Sequence, residues 1–260
     1  MAPPLHTIDE LLNAFRTHNA TSPRLTWYGA DSERVELSGR VLENWVAKTA
    51  NYLVDELDAE PGTVVAVDMP VHWRSLVWLL ACWAVGATAL PLGHDASSAG
   101  TAAGTGAPKH PASLADIVVT TRPSAALAAS NAVGRLPFVV AVALPALAMR
   151  WTGELPADAL DYSGGVRAHS DVFFADSAPA GDATAWQVQA GAVSYAELLA
   201  TADPAGPAGA ERVLLQAIEG WDVVVRAALA TWAAGGSVVL LDPAVDATEH
   251  LRTVENVTAG

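Results

Sequence analysis

Lysine is almost absent from this sequence. Only Lys48 and Lys109 occur among 14 basic residues, against 28 acidic ones, for a net charge of −14. Affinity for nucleic acid rests on Lys and Arg neutralising phosphates, so the balance disfavours DNA or RNA as a partner. Cysteine is scarcer still. Cys82 is alone, so no intrachain disulfide can form. It lies in LLACWAVG, an apolar helical stretch where a thiol reads as a small, inert hydrophobe. The N-terminus, MAPPLHTIDELL, has no basic segment leading into an apolar core, so no signal peptide is expected. The longest uncharged run, Ser75–His94, has the length of a membrane span. Gly86 and Pro91 interrupt it, and it reads as a helix followed by a strand. The expectation is a cytoplasmic protein with neither a nucleic acid nor a membrane as partner.

What is present is apolar. Of 260 residues 52% are hydrophobic, and a chain of that length buries roughly three-quarters of its unfolded surface. Thr7 and Glu10 have the spacing of a capping box that opens a first helix. Residues 24–29 and 33–38 read as a hairpin. Leu42, Trp45, Val46, Thr49, Leu53 and Leu57 fall at helical spacing. A strand over 63–69 and a helix ending at Gly86 follow, then a strand over 87–93. Residues 93–112, nearly all Gly, Ala, Ser, Thr and Pro, show no apolar face and read as a flexible loop. Strand, helix and strand return over 115–121, 124–134 and 137–144. After an irregular stretch, 170–176 reads as a strand. Ser194 and Glu197 have capping-box spacing ahead of another helix. The last third reads strand, helix, strand, helix. Alternation of this kind implies an α/β fold with a mostly parallel sheet flanked by helices.

Chemistry is hard to find in the residue patterns. The seven histidines show neither an HExxH motif nor i, i+4 pairing, so no metal site is expected. DYSGG (161–165) lacks the leading glycine of a hydrolase elbow. His94, Asp95 and Ser97 are near neighbours in the loop, whereas triad members normally come from separate rigid elements. Trp73, Trp78, Trp83 and Trp232 sit in apolar helices and read as core.

The order of elements resembles the opening of the adenylate-forming enzymes: acyl-CoA synthetases, peptide-synthetase adenylation domains and luciferases. Pro61, Gly62, Val64–Val67, Pro70, Gly86, Ala87, Pro91 and Leu92 stand where that superfamily has its GdrVai.lpn and GavvvPl segments. ADIVVTT (115–121), GGSVVLLD (235–242) and VENVTA (254–259) resemble later elements. The resemblance implies the N-terminal large domain: a first lobe over 1–92, the flexible loop over 93–112, a continuation over 113–210, and the start of a second lobe over 211–260. It also implies an N-terminal hairpin and a partial second sheet.

In that superfamily a loop of the form TSGTTGxPKG follows a strand directly and cradles phosphate. GTGAPKH (104–110) imitates it but lies about 70 residues too early, with no strand before it. The resemblance puts the loop at 176–185, after DVFFAD. Ser177 and Gly181 match there. Ala178, Pro179 and Ala180 replace Gly-Thr-Thr, and Ala183, Thr184 and Ala185 replace Pro-Lys-Gly. Proline has no N–H to donate, and the lysine position is Thr184. No Lys or Arg occurs between Arg167 and Arg212. Ser177, Gly181 and Thr184 are therefore the residues of a degenerate phosphate position. The family's magnesium-binding glutamate, ribose-binding aspartate and C-terminal lysine lie downstream of any position here, so no catalytic residue is carried over.

The expectation is a non-catalytic homologue that acts as a binding or interaction protein, with no cofactor. The alternatives are an AMP-dependent ligase completed by a partner chain, which would use ATP and AMP, and an unrelated hydrolase or transferase using the loop histidines. A strand pair at 213–217 and 237–242 with an apolar open edge implies a homodimer or an unidentified protein partner.

Overall fold

The Thr7 capping box forms as spaced. Thr7 Oγ1 accepts from Glu10 N at 3.2 Å, and Glu10 Oε2 accepts from Thr7 N at 3.2 Å. It opens α1 (Ile8–Thr17), whose buried stripe is Ile8, Leu11 and Phe15. Strands β1 (Pro23–Tyr28) and β2 (Arg34–Ser38) form the expected hairpin. Ser38 then caps α2 (Gly39–Leu57), its Oγ accepting from Val41 N at 3.3 Å. Gly39 is required at this helix start. A Cβ there would stand 2.4 Å from the carbonyl oxygen of Phe15, so glycine sets how closely α1 and α2 approach.

The computed structural model describes residues 5–92, 115–132, 134–188, 191–200 and 211–260. The expectations for 93–112, GTGAPKH and the His94 group included, lie outside the described residues. Beyond α2 the chain runs β3 (Val64–Asp68), α3 (Trp73–Val85), β4 (Thr88–Pro91), β5 (Ile117–Thr120), α4 (Pro123–Ala132), β6 (Phe138–Ala141), β7 (Ala159–Asp161), α5 (Tyr162–Gly165), β8 (Thr184–Val188), β9 (Gly191–Ser194), β10 (Arg212–Gln216), α6 (Gly220–Ala233), β11 (Ser237–Leu241) and α7 (Glu249–Val254).

Two sheets result. The larger has the order β7-β6-β5-β3-β4-β8-β9 and is parallel except for the β8–β9 hairpin. The smaller has the order β10-β11-β1-β2. Its β1 lies parallel to β11, with Leu25 opposite Val238 and Tyr28 opposite Leu241. The N-terminal hairpin thus completes the second sheet with strands from the last third of the chain.

Helix α3 is the centre of the molecule. It touches β3 and β4 on one side and β1 on the other, and all thirteen of its residues are buried. A helix that is apolar nearly all round needs cover all round, and α2, α1 and the two sheets supply it. Trp73, Trp78, Trp83 and Trp232 are core residues, as their helical setting implied. One contiguous cluster joins Leu25, Val67, Trp78, Leu229 and Leu240 across both sheets.

Three expectations are corrected. Residues 170–176 form no strand; they run along α2, where Asn51 Nδ2 donates to the carbonyls of Ser170 and Val172 at 3.0 Å each. Side-chain hydrogen bonds to this segment replace a ladder, so its short apolar run Val172–Ala175 marks docking and not pairing. Ser194 and Glu197 do interact, through Ser194 N to Glu197 Oε2 at 2.9 Å, but residues 195–200 make only turns. Ser194 Oγ donates to Glu197 instead of accepting from the backbone, which leaves the helix start uncapped. Lastly, the outer edge of β10 is partly covered by the chain's own end: Leu214 N donates to Ala259 O and Thr258 N to Arg212 O, each at 2.9 Å.

Candidate functional site

In open α/β sheets ligands bind beyond the C-terminal ends of the strands. Here protein side chains occupy the space where those ends meet between the two sheets. Arg74, only 2% exposed, reaches out of α3 to the segment after β6. Its Nε donates to Leu144 O at 3.1 Å, and its Nη2 to Pro145 O at 3.1 Å and Ala146 O at 3.2 Å. The guanidinium lies 4.3 Å over the Trp73 ring and 5.4 Å from that of Trp45. From the other sheet, Glu33 Oε1 accepts from Ala146 N at 2.8 Å and Oε2 from Trp27 Nε1 at 3.2 Å. The turn that aims Glu33 holds Asp31 and Ser32 at φ 57° and 63°, which non-glycine residues seldom adopt. His72 packs edge-on against Trp27 at 4.5 Å between ring centres. Burial, with Arg74 beside it, pushes its pKa down to about 3, so the ring is neutral and its Nδ1 accepts from Arg74 N. It caps α3 and has no proton to exchange near neutral pH. Farther along, Asp68 takes Thr120 Oγ1 at 2.6 Å and Arg122 Nη2 at 2.8 Å.

The phosphate position is assembled differently from a cradle. Ser177 and Gly181 lie in an exposed surface segment, whereas Thr184 opens β8. The loop therefore runs into a strand instead of following one. Gly181 does not take a left-handed φ, and a Cβ there would meet Ala196 Cβ at 3.6 Å, an ordinary contact. Its conformation is one that alanine tolerates, so the freedom that lets glycine turn N–H groups inward goes unused. Carbonyls of the segment are held by the turn after β9: Gly181 O accepts from Ala196 N at 2.9 Å, and Ala183 O from Tyr195 N at 3.0 Å. Thr88 Oγ1 donates to Thr184 O at 2.7 Å. The structure brings Ser177 and Gly181 into one stretch and commits Thr184 to the sheet.

Two clefts flank these features. One, of about 620 Å³, is open and lies at the N-terminal ends of β3, β5 and β6, bordered by Gly62, Asp116, Arg135, Leu136 and Phe138. That is the end of the sheet opposite the usual ligand crevice. The other, of about 340 Å³, lies between α1, α2 and residues 173–178, with Asp9, Asn13, Arg16 and Glu43 as its polar lining. Neither its acids nor the bonds of Arg74 and Glu33 to residues 144–146 were anticipated from sequence. A signal existed for Arg74, since it is the one cation inside an otherwise apolar helix of residues 73–85.

The family described as AMP-binding enzyme matches residues 15–149. A curated protein of Mycobacterium tuberculosis is 36% identical over 244 residues, covering 92% of this chain and 90% of that protein. The chain belongs to the AMP-binding enzyme family. Solved structures agree in fold. An acetoacetyl-CoA synthetase from Streptomyces lividans is similar with a TM-score of 0.71 at 20% identity over 95% of this chain. An acyl-CoA synthetase of Brucella canis gives 0.69 at 19% identity over 97%. The chain spans 40% and 46% of the lengths of those two structures. This AMP-binding homologue therefore has the architecture of the N-terminal domain, with mostly parallel sheets flanked by helices. Among its described residues no helix is long and apolar enough to cross a membrane.

Proposed function

We propose that this chain is a non-catalytic member of the AMP-binding family that works as a binding or interaction module, without ATP or AMP as cofactor. The observation that carries the reading is the segment 176–185. It has no cation, its Pro179 lacks an N–H, its glycine is not left-handed, and it leads into a strand. A triphosphate would face Asp176 and Asp182 with no lysine to offset them. Each lost charge-assisted hydrogen bond removes about 1.5–3 kcal/mol, and several are lost together. Arg74 and Glu33, each bonded to the segment 144–146, support the same reading, because they occupy strand ends where an open sheet would receive its ligand. The same reading places the protein in the cytoplasm, where a lone unpaired cysteine is ordinary.

Carboxylate-dependent pyrophosphate exchange across a panel of acids tests this reading. No exchange above blank is expected from the purified chain, and no heat of binding on titration with ATP. Clear exchange by the chain alone would overturn the reading. Exchange that appears only with an added protein would establish an AMP-dependent ligase completed by a partner.

A further inference from the structure

A loop that follows a strand directly has its place fixed by that strand. Residues 170–176 form no strand, and the first strand beyond them is β8. β8 lies parallel to β4, with Ala89 opposite Trp186, and both β4 and β5 are parallel to β3. The two ends of β8 therefore differ in kind. Thr184 starts it beside the start of β4, where Thr88 Oγ1 donates to the Thr184 carbonyl, and Gly181 comes before that point in the chain. Val188 ends it at the same end of the sheet as Asp68, Pro91 and Thr120. Beyond that end open α/β sheets receive their ligands. There the chain turns back at once. β8 pairs antiparallel with β9, with Gln187 opposite Ala192 and Val188 opposite Gly191. Gln189 and Ala190, which lie outside the described residues, are all that links the two strands. A phosphate cradle needs several successive N–H groups that converge on the anion, with a cation beside them. Two linking residues bring two N–H groups, and residues 168–211 contain no Lys or Arg.

We propose that the phosphate loop is missing from this chain through a shortened β8–β9 connection. Val188–Gly191 stands where the loop would be, and 176–185 is the approach to the strand before it. The proposal rests on the non-catalytic reading and adds how the site was lost. A loop altered residue by residue is restored by substitution in place. A loop that is absent is restored only by inserting chain at the strand end.

Two variants of the full chain separate the positions, each titrated calorimetrically with sodium tripolyphosphate. In the first, TSGTTGAPKG replaces Gln189 and Ala190; in the second, the same run replaces residues 176–185. Closure entropy grows only with the logarithm of loop length, so the first variant should fold with Tm lowered by about 5 °C or less. It should bind tripolyphosphate saturably with Kd below about 10 mM, while wild type and the second variant stay silent. Should the second variant not fold, the first decides alone. Binding by the second variant, a folded first variant that does not saturate by about 10 mM, or a first variant that fails to fold overturns the proposal. Each of these leaves the non-catalytic reading standing, because wild type is silent. Tripolyphosphate or ATP bound by wild type overturns both.

Discussion

Replacing Glu255 with glutamine tests how the small sheet is held. Glu255 is 4% exposed at the end of α7 and is shared by three elements of that sheet. Tyr28 OH, on β1, donates to its Oε1. From β2, Arg34 Nε donates to Oε1 at 3.0 Å; from β10, Arg212 Nη2 donates to Oε2. Arg212 also reaches Thr26 Oγ1 at 3.0 Å. A glutamine keeps the volume but turns an NH₂ toward an arginine, so donor faces donor. Breaking a fully buried ion pair costs about 3–5 kcal/mol. Because the Arg34 side chain is 43% exposed, solvent screens part of its share, and about 2–3 kcal/mol is the working figure. For a chain of this length that lowers Tm by roughly 5–10 °C.

The effect has a signed pH dependence. Burial opposes the charge on Glu255, but hydrogen bonds from Tyr28, Arg212 and Arg34 outweigh it and hold the carboxyl below its ordinary value of 4.5. As pH falls, the unfolded chain takes up this proton first. The stabilisation is therefore complete above about pH 4.5 and is lost as pH falls through the lowered value of the folded state. Urea unfolding of wild type and Glu255→Gln at pH 7, and again in steps below pH 4.5, should show a gap that is widest at pH 7 and closes toward acid. A gap under about 0.5 kcal/mol at pH 7, or one that stays constant down the acid series, would refute the reasoning.

Two other outcomes follow from packing. Gly39→Ala places a Cβ against the Phe15 carbonyl oxygen and should cost about 1–3 kcal/mol despite alanine's better helix propensity, as read by differential scanning calorimetry; a stabilised variant would show that α1 and α2 separate freely. Cys82 is fully buried and burial raises its thiol pKa, so a thiol-reactive chromophore should leave it unlabelled at pH 7 until denaturant is added; labelling of the native chain within minutes would contradict the core described above.

Much of the fold was legible in the sequence because local and tertiary demands coincide. The Thr7–Glu10 cap, the Gly86 stop with φ 90°, and the buried stripe of Leu42, Val46, Leu53 and Leu57 obey spacing rules that need no partner to be known. Where the two demands separate, reading fails. Residues 170–176 have the short apolar run of a buried strand, but the large sheet takes Thr184–Val188 in that region. Ser194 and Glu197 have helix-start spacing, but Tyr195 N and Ala196 N are drawn to the carbonyls of Ala183 and Gly181. The site was the least legible part. Ser177, Gly181 and Thr184 were placed by counting from an expected strand that does not form. Glu43 reads locally as one more charged residue on an amphipathic helix. Only the approach of α1 and residues 173–178 makes it a buried acid.

The joining of β1 to β11 has a consequence for synthesis. Leu25 leaves the ribosome long before Val238, which it faces in the finished sheet. At about 5–20 residues per second, the hairpin of β1 and β2 waits roughly 10–40 seconds with one side of β1 unpaired. The same strand carries Leu25 and Trp27, both buried at the end. Pairing across such a separation pays its loop-closure entropy before any contact offsets it, so docking of the last third is expected to be the slow event in folding. A nascent chain halted near residue 210 would present an unpaired strand edge and the open flank of α3, the kind of surface that makes a folding intermediate prone to aggregate.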